Sequence, residues 1–123
     1  ILENLTKQLR AFIDECKSQI DSLISRQAVV RFKIGKSGDD PDIRKSDYLR
    51  KHGYTHFHVI FSSDNKILID ALEKILIVMY KKHEPIRCEN DRIGGGEIAG
   101  EHKPYLYIAF ENSLLKAMMT YES

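Results

Sequence analysis

The sequence lacks an excess of charge of either sign. Its 123 residues carry 19 basic and 18 acidic side chains, a net charge of +1. A strong overall attraction to nucleic acid or to anionic lipid is therefore not implied, and any such contact must come from a local cluster. Cysteine is scarce: Cys16 and Cys88 have no partner at metal-type or redox-type spacing. Two free thiols in a reducing, intracellular compartment are the simpler expectation. No apolar run approaches the roughly 18 residues of a membrane helix. A basic start, short apolar run and small-residue cleavage site are also missing, so secretion is not indicated. There is no internal repeat and no low-complexity tract. Gly94-Gly95-Gly96 is not followed by the Lys-Ser/Thr of a phosphate-binding P-loop. No serine or cysteine is paired with a base.

Against these absences stand 42% hydrophobic and 30% charged residues, enough for one folded core. Residues 1–26 read as an amphipathic helix. Leu2, Leu5, Leu9, Phe12 and Cys16 repeat at alternating spacings of three and four, widened by Ile13, Ile20, Leu23 and Ile24. The seam is about three heptads long. Two readings stand: a coiled-coil stem that forms a homodimer, or a helix packed on its own domain.

Residues 27–123 form the second unit. Ala28 to Ile34 is expected as a strand, with Arg31 and Lys33 alternating against Phe32 and Ile34. Gly35 to Pro41 reads as a turn, with Asp40 as N-cap and Pro41 in the first turn of a helix to residue 52. Ile43, Tyr48 and Leu49 are its expected buried side. Tyr54 to Phe61 is a second strand, with Phe57, Val59 and Phe61 on one side and His56, His58 and Ile60 on the other. The helix over 66–83 is the most apolar in the chain. Glu84-Pro85 ends it, and a long loop over 86–103 follows, of a length that favours a binding role. Tyr105 to Phe110 is a third strand, and Asn112 caps a last helix. The expected fold is α/β in the α+β sense: a small three-stranded sheet flanked by helices, preceded by the long N-terminal helix.

Arg31-Phe32-Lys33-Ile34-Gly35-Lys36-Ser37 resembles the second signature strand of GIY-YIG nuclease domains, particularly short phage and viral relatives that read YKIGKT. Arg44, in the next helix, stands where that family carries a catalytic arginine. Leu72-Glu73-Lys74-Ile75-Leu76-Ile77 is similar to the helix that carries its metal-binding glutamate. Asn90 matches an asparagine that often closes the family core. The resemblance covers Phe32 to Asn90, about half of the chain. Two departures stand out. Lys33 replaces the tyrosine of the second motif. The family's first tyrosine strand is absent upstream, where Asp21 to Gln27 is the polar end of a helix. Tyr105-Leu106-Tyr107-Ile108-Ala109-Phe110 looks like that strand placed at the other end. A circularly permuted sheet would then pair it with residues 29–34 and bring Tyr105 or Tyr107 to Gly35.

The resemblance implies a metal-dependent endonuclease that hydrolyses phosphodiesters in DNA. Glu73 would hold Mg²⁺ (or Mn²⁺), Arg44 would steady the phosphate, and Tyr107, Tyr105 or His58 would handle the proton. Gly35 would allow close backbone approach. Read from the residues alone, Glu73 belongs to a solvated stripe with Lys66, Asp70, Lys74 and Lys81, and His56 and His58 share one strand face. Lys33, Lys36, Arg50 and Lys51, with Arg31, Arg44, Lys45 and His52, form the densest basic run and a candidate nucleic-acid contact. Two alternatives to the nuclease are kept: an inactive relative that only binds DNA, and a protein-interaction or oligomerisation module working through the 1–26 helix.

Overall fold

The last strand in the chain is the middle strand of the sheet. In the computed structural model, which describes residues 2–26, 28–94 and 96–122, the elements run α1 (Leu2–Ile24), β1 (Val29–Ser37), α2 (Pro41–Lys51), β2 (His56–Ser62), α3 (Lys66–His83), β3 (Tyr105–Asn112) and α4 (Ser113–Glu122). The sheet order is β1-β3-β2, and β3 is antiparallel to both neighbours. The architecture is α+β. The pairing that a permuted order requires is present: Phe32 faces Phe110, Ile34 faces Ile108, and Gly35 faces Tyr107.

Because side chains alternate along a strand, β3 supplies both faces of the sheet. Leu106, Ile108 and Phe110 join Phe32, Ile34 and Ile60 on one face, under Ile20 and Ile24 of α1 and Ile69, Leu72, Leu76 and Ile77 of α3. Each such side chain contributes roughly 1.5–3 kcal/mol by leaving water. Tyr105, Tyr107 and Ala109 point the other way, into a smaller cluster with Phe57, Tyr54 and Tyr48 of α2.

Local chemistry sets the helix bounds. Asp40 accepts a hydrogen bond from the Asp42 amide at 2.8 Å, with Pro41 at the first helical position, so α2 starts there. Asn65 caps α3 through the Leu68 amide at 3.2 Å, and Asn112 caps α4 through the Leu115 amide at 3.1 Å. Gly53 follows α2 with φ +73°, in the left-handed region that favours glycine.

Three expectations need correction, and the open choice for α1 is decided in favour of packing on its own domain. Gly35-Lys36-Ser37 is not a turn: it continues β1, because Tyr107, Leu106 and Tyr105 offer it a ladder. A bulge between Val59 and Phe61 breaks the alternation of β2, so Phe61 sits opposite Leu106 and packs on Phe12 of α1, with ring centroids 5.0 Å apart. Ile43 is 62% exposed, leaving Tyr48 as the buried residue of α2. The α1 seam is used inside the domain: Cys16, Ile20 and Ile24 are buried in the core, and Leu9, Phe12, Ile13 and Leu23 pack against it. No coiled coil is therefore formed by that half of the seam. The side chains of Leu2 and Leu5 lie outside the described residues, as does Gly95 of the glycine run.

Cys16 and Cys88 are both buried and both free. Among the described residues, no helix is long and apolar enough to cross a membrane.

Candidate functional site

The open edge of β1 is closed by the segment that follows α3. Phe32 donates its amide to the Arg87 carbonyl and accepts from the Glu89 amide, each at 2.9 Å. One step further the backbone turns away, and the Asn90 side chain takes over. Its Oδ1 accepts from the Ile34 amide at 3.0 Å and its Nδ2 donates to the Ile34 carbonyl at 2.7 Å. A primary amide carries one acceptor and one donor group side by side, so it stands in for a peptide unit of a neighbouring strand. Further along, the Gly38 amide donates to Ala99 at 3.0 Å and its carbonyl accepts from His102 at 2.8 Å. The loop is thus tied to β1 at both ends, and a cleft of about 370 Å³ opens between them.

Four elements and the loop converge on that cleft. β1 supplies Lys33, Gly35 and Lys36, and α2 supplies Arg44 and Tyr48. Glu73 comes from α3, Tyr107 from β3, and Asn90, Asp91, Arg92 and Glu97 from the loop. Of the residues singled out from sequence, Gly35, Lys33, Lys36, Arg44, Glu73, Asn90 and Tyr107 meet here. His58, Arg50 and Lys51 do not line it.

Gly35 is required by its partner across the sheet. A Cβ there would collide with the Tyr107 ring, with even Cε2 only 2.8 Å away. Lacking that atom, Gly35 lets the phenol lie over the strand and reach the Tyr48 hydroxyl at 2.5 Å. Burial, and then the neighbouring Tyr48, push the Tyr107 hydroxyl far above its ordinary pKa, while the Arg44 charge pulls against them. Tyr107 therefore keeps its proton across the neutral range.

Glu73 is not on a solvated stripe. It lies with Ile69, Leu72, Leu76, Ile77 and Tyr80 on the buried side of α3 and is 6% exposed. Its Oε1 is buried without a hydrogen bond. Burial raises its pKa, opposed by the charge of Lys36. Lys36 Nζ lies 3.3 Å from that oxygen and is hydrogen-bonded to Asp70. The Lys36 side chain is only 4% exposed, so this lysine is turned inward rather than offered to a nucleic acid. Despite burial, which lowers it, its pKa is raised by the two carboxylates. Arg44 Nε is likewise buried without a partner. A guanidinium nitrogen without a hydrogen bond and a carboxylate oxygen with an ion-pair neighbour but no hydrogen bond thus face one cleft, in which protonated Tyr107 supplies a hydroxyl.

The rest of the basic run is divided. Arg31 is consumed by structure: it bonds Glu89 at 2.8 Å, Glu111 at 3.2 Å and the His52 carbonyl at 2.9 Å, and lies 4.1 Å over the Tyr54 ring. Lys51 pairs with Asp47 at 3.5 Å in the last turn of α2. His58 stands on β2, the opposite edge strand, where His56 is stacked 4.6 Å over Phe110. Burial, and then positive neighbours, lower both imidazole pKa values. The two imidazoles gain no third ligand: among the described residues no group of three or more His, Cys, Asp or Glu converges as a metal site. Sequence reasoning missed Asp91, Arg92 and Glu97, for which loop length was the available signal, and the inward turn of Lys36, for which there was none. No family model matches the chain, and neither a curated protein nor a solved structure matches it.

Proposed function

We propose that the chain is a GIY-YIG-like domain, with the family's first strand carried at the end of the fold, that hydrolyses phosphodiester bonds in DNA with the help of a divalent cation. The observation that supports this reading is the convergence of Tyr107, Arg44 and Glu73 on one cleft beside Gly35, although they come from three different elements. Arg44 would bind the scissile phosphate, since Nε is buried without a partner and a guanidinium matches two phosphate oxygens. Glu73 fits Mg²⁺ or Mn²⁺ through Oε1, which has no hydrogen bond, because Mg²⁺ needs only one or two carboxylates and keeps its waters. The bound cation would neutralise charge on the phosphorane and on the leaving oxygen. Tyr107, which keeps its proton, would orient the attacking water through its hydroxyl, itself held by the Tyr48 hydroxyl at 2.5 Å, and the proton of that water would pass to solvent in the open cleft. Lys33 lines the cleft with no ion pair among the described residues and would meet the flanking backbone. An intracellular setting belongs to the same proposal, since both thiols are free.

Binding to DNA without cleavage is the second reading. It is favoured by Lys33 at the position of the family's tyrosine and by Lys36 beside the carboxylate. A plasmid-nicking assay with Mg²⁺ or Mn²⁺ separates the two. Cleavage that needs the cation and falls by about 10²–10³-fold in Arg44→Ala and in Glu73→Ala is the expected result. Cation-dependent cleavage that survives both substitutions would move the chemistry to another site. Retention of plasmid in a gel shift without nicking would leave the binding reading.

A further inference from the structure

The place on Glu73 that a cation would take already has a positive charge next to it. Lys36 Nζ is 3.3 Å from Glu73 Oε1, and its hydrogen bond goes to Asp70 instead. The second Asp70 oxygen is held by Lys74 at 2.9 Å. Lys36, Lys74, Asp70 and Glu73 therefore form a neutral set of two ammonium groups and two carboxylates. The Lys36 and Glu73 side chains are 4% and 8% exposed, so water and salt screen their interaction little. A divalent ion on Oε1 would leave this set with two surplus positive charges a few ångströms apart.

We propose that Lys36 is a resident counter-ion of Glu73 that a divalent cation must displace, so that Lys36 and Asp70 together set the cation affinity of the cleft. The inference rests on the reading of Glu73 as a cation ligand given above. Asp70 is the partner that makes displacement feasible: an ammonium that leaves Glu73 keeps its hydrogen bond to Asp70 and is not stranded. The Lys36 backbone is fixed in β1 opposite Leu106, so the movement is confined to the flexible side chain. Without Asp70 the ammonium has only Glu73 to pair with, and it competes harder.

The test is Mn²⁺ binding to the whole chain in mildly alkaline buffer, read from the electron paramagnetic resonance of the free ion, with no nucleic acid present. Lys36→Met is expected to bind Mn²⁺ about tenfold tighter than wild type or better, the scale of removing one like charge at this distance. Asp70→Asn is expected to bind several-fold more weakly in the wild-type background and to have little effect in the Lys36→Met background, because it acts through the lysine. Glu73→Gln should abolish the site. Equal or weaker binding by Lys36→Met, with Glu73→Gln silent, would overturn the role of Lys36 and leave Glu73 as the ligand. An Asp70→Asn effect that is unchanged in the Lys36→Met background would overturn it as well, and needs no comparison with wild-type folding. Absence of binding by both wild type and a folded Lys36→Met would remove the cation reading of Glu73 and this inference with it.

Discussion

Toward α1 and α3 the sheet presents Phe32, Ile34, Ile60, Leu106, Ile108 and Phe110; toward α2 it presents Tyr105, Tyr107 and Phe57. The first face is apolar and closed except at its β1 edge, where Lys36 meets Glu73 of α3. The second is smaller, aromatic and carries hydroxyls, and it opens at the β1 edge into a cleft where the Arg44 Nε of α2 and the Glu73 Oε1 of α3 both lack a hydrogen bond. The difference separates two tasks. Where a face is filled by apolar side chains it stabilises the fold and has no chemistry to offer. A face that holds polar atoms without partners costs stability, a cost tolerated where a ligand will complete the set.

One truncation and three substitutions sharpen or break this contrast. The largest effect belongs to a chain that starts at Arg26, which loses Cys16, Ile20 and Ile24 from the closed face. Ile20 and Ile24 alone account for roughly 3–6 kcal/mol of burial in a fold whose total stability is expected near 5–15 kcal/mol. Such a chain should show no cooperative thermal transition; a folded monomer would mean that α1 is an appendage. Next, Leu76→Ala should cost about 2–5 kcal/mol in urea melts while leaving cation-dependent nicking by the folded fraction intact. Tyr107→Phe should cost only about 1 kcal/mol, the worth of its bond to Tyr48, yet remove most of the proposed nicking activity. If it costs as much stability as Leu76→Ala and leaves nicking unchanged, the aromatic face is merely a second core.

The smallest effect has the opposite sign. The folded-state pKa of Glu73 is raised, so its contribution favours the fold below the ordinary carboxylate range and is lost as pH rises through the folded value. Glu73→Gln removes that loss, and Lys36 keeps Asp70 as its partner. The variant should match wild type in acid and melt slightly higher at neutral pH, by up to about 1 kcal/mol. A lower melting point at neutral pH would show that the carboxylate stabilises the fold rather than burdening it.

Much of the secondary structure was legible because it is set locally. Asp40 with Pro41, Asn65 and Asn112 satisfy helix ends within three residues, and the apolar period of α3 gave its bounds. What was not legible depends on partners far away in sequence. Gly35-Lys36-Ser37 has turn composition and becomes strand only because residues 105–107 lie beside it. Glu73 sits three residues from Asp70 and from Leu76, so the same spacing places it on a polar or an apolar stripe; only the sheet decides. Phe61 moved to the other face through a bulge that no pattern announces. At the site, Gly35, Arg44, Glu73, Asn90 and Tyr107 were found by resemblance and strand pattern. His58, Arg50 and Lys51 were grouped with them by chemistry and adjacency in sequence, and the fold distributes them elsewhere.

The central position of β3 has a consequence for how the molecule is made. β1 and β2 hydrogen-bond to β3 and not to each other. Until residues 105–112 leave the ribosome, the chain has two hydrophobic strands with no ladder to join, and the aliphatic layer cannot close over them. Sheet formation must wait for residues 105–112, and both of its ladders join segments far apart in sequence, which slows folding. A stalled or shortened nascent chain would present both strand edges at once, the condition under which chaperones are needed and aggregation begins.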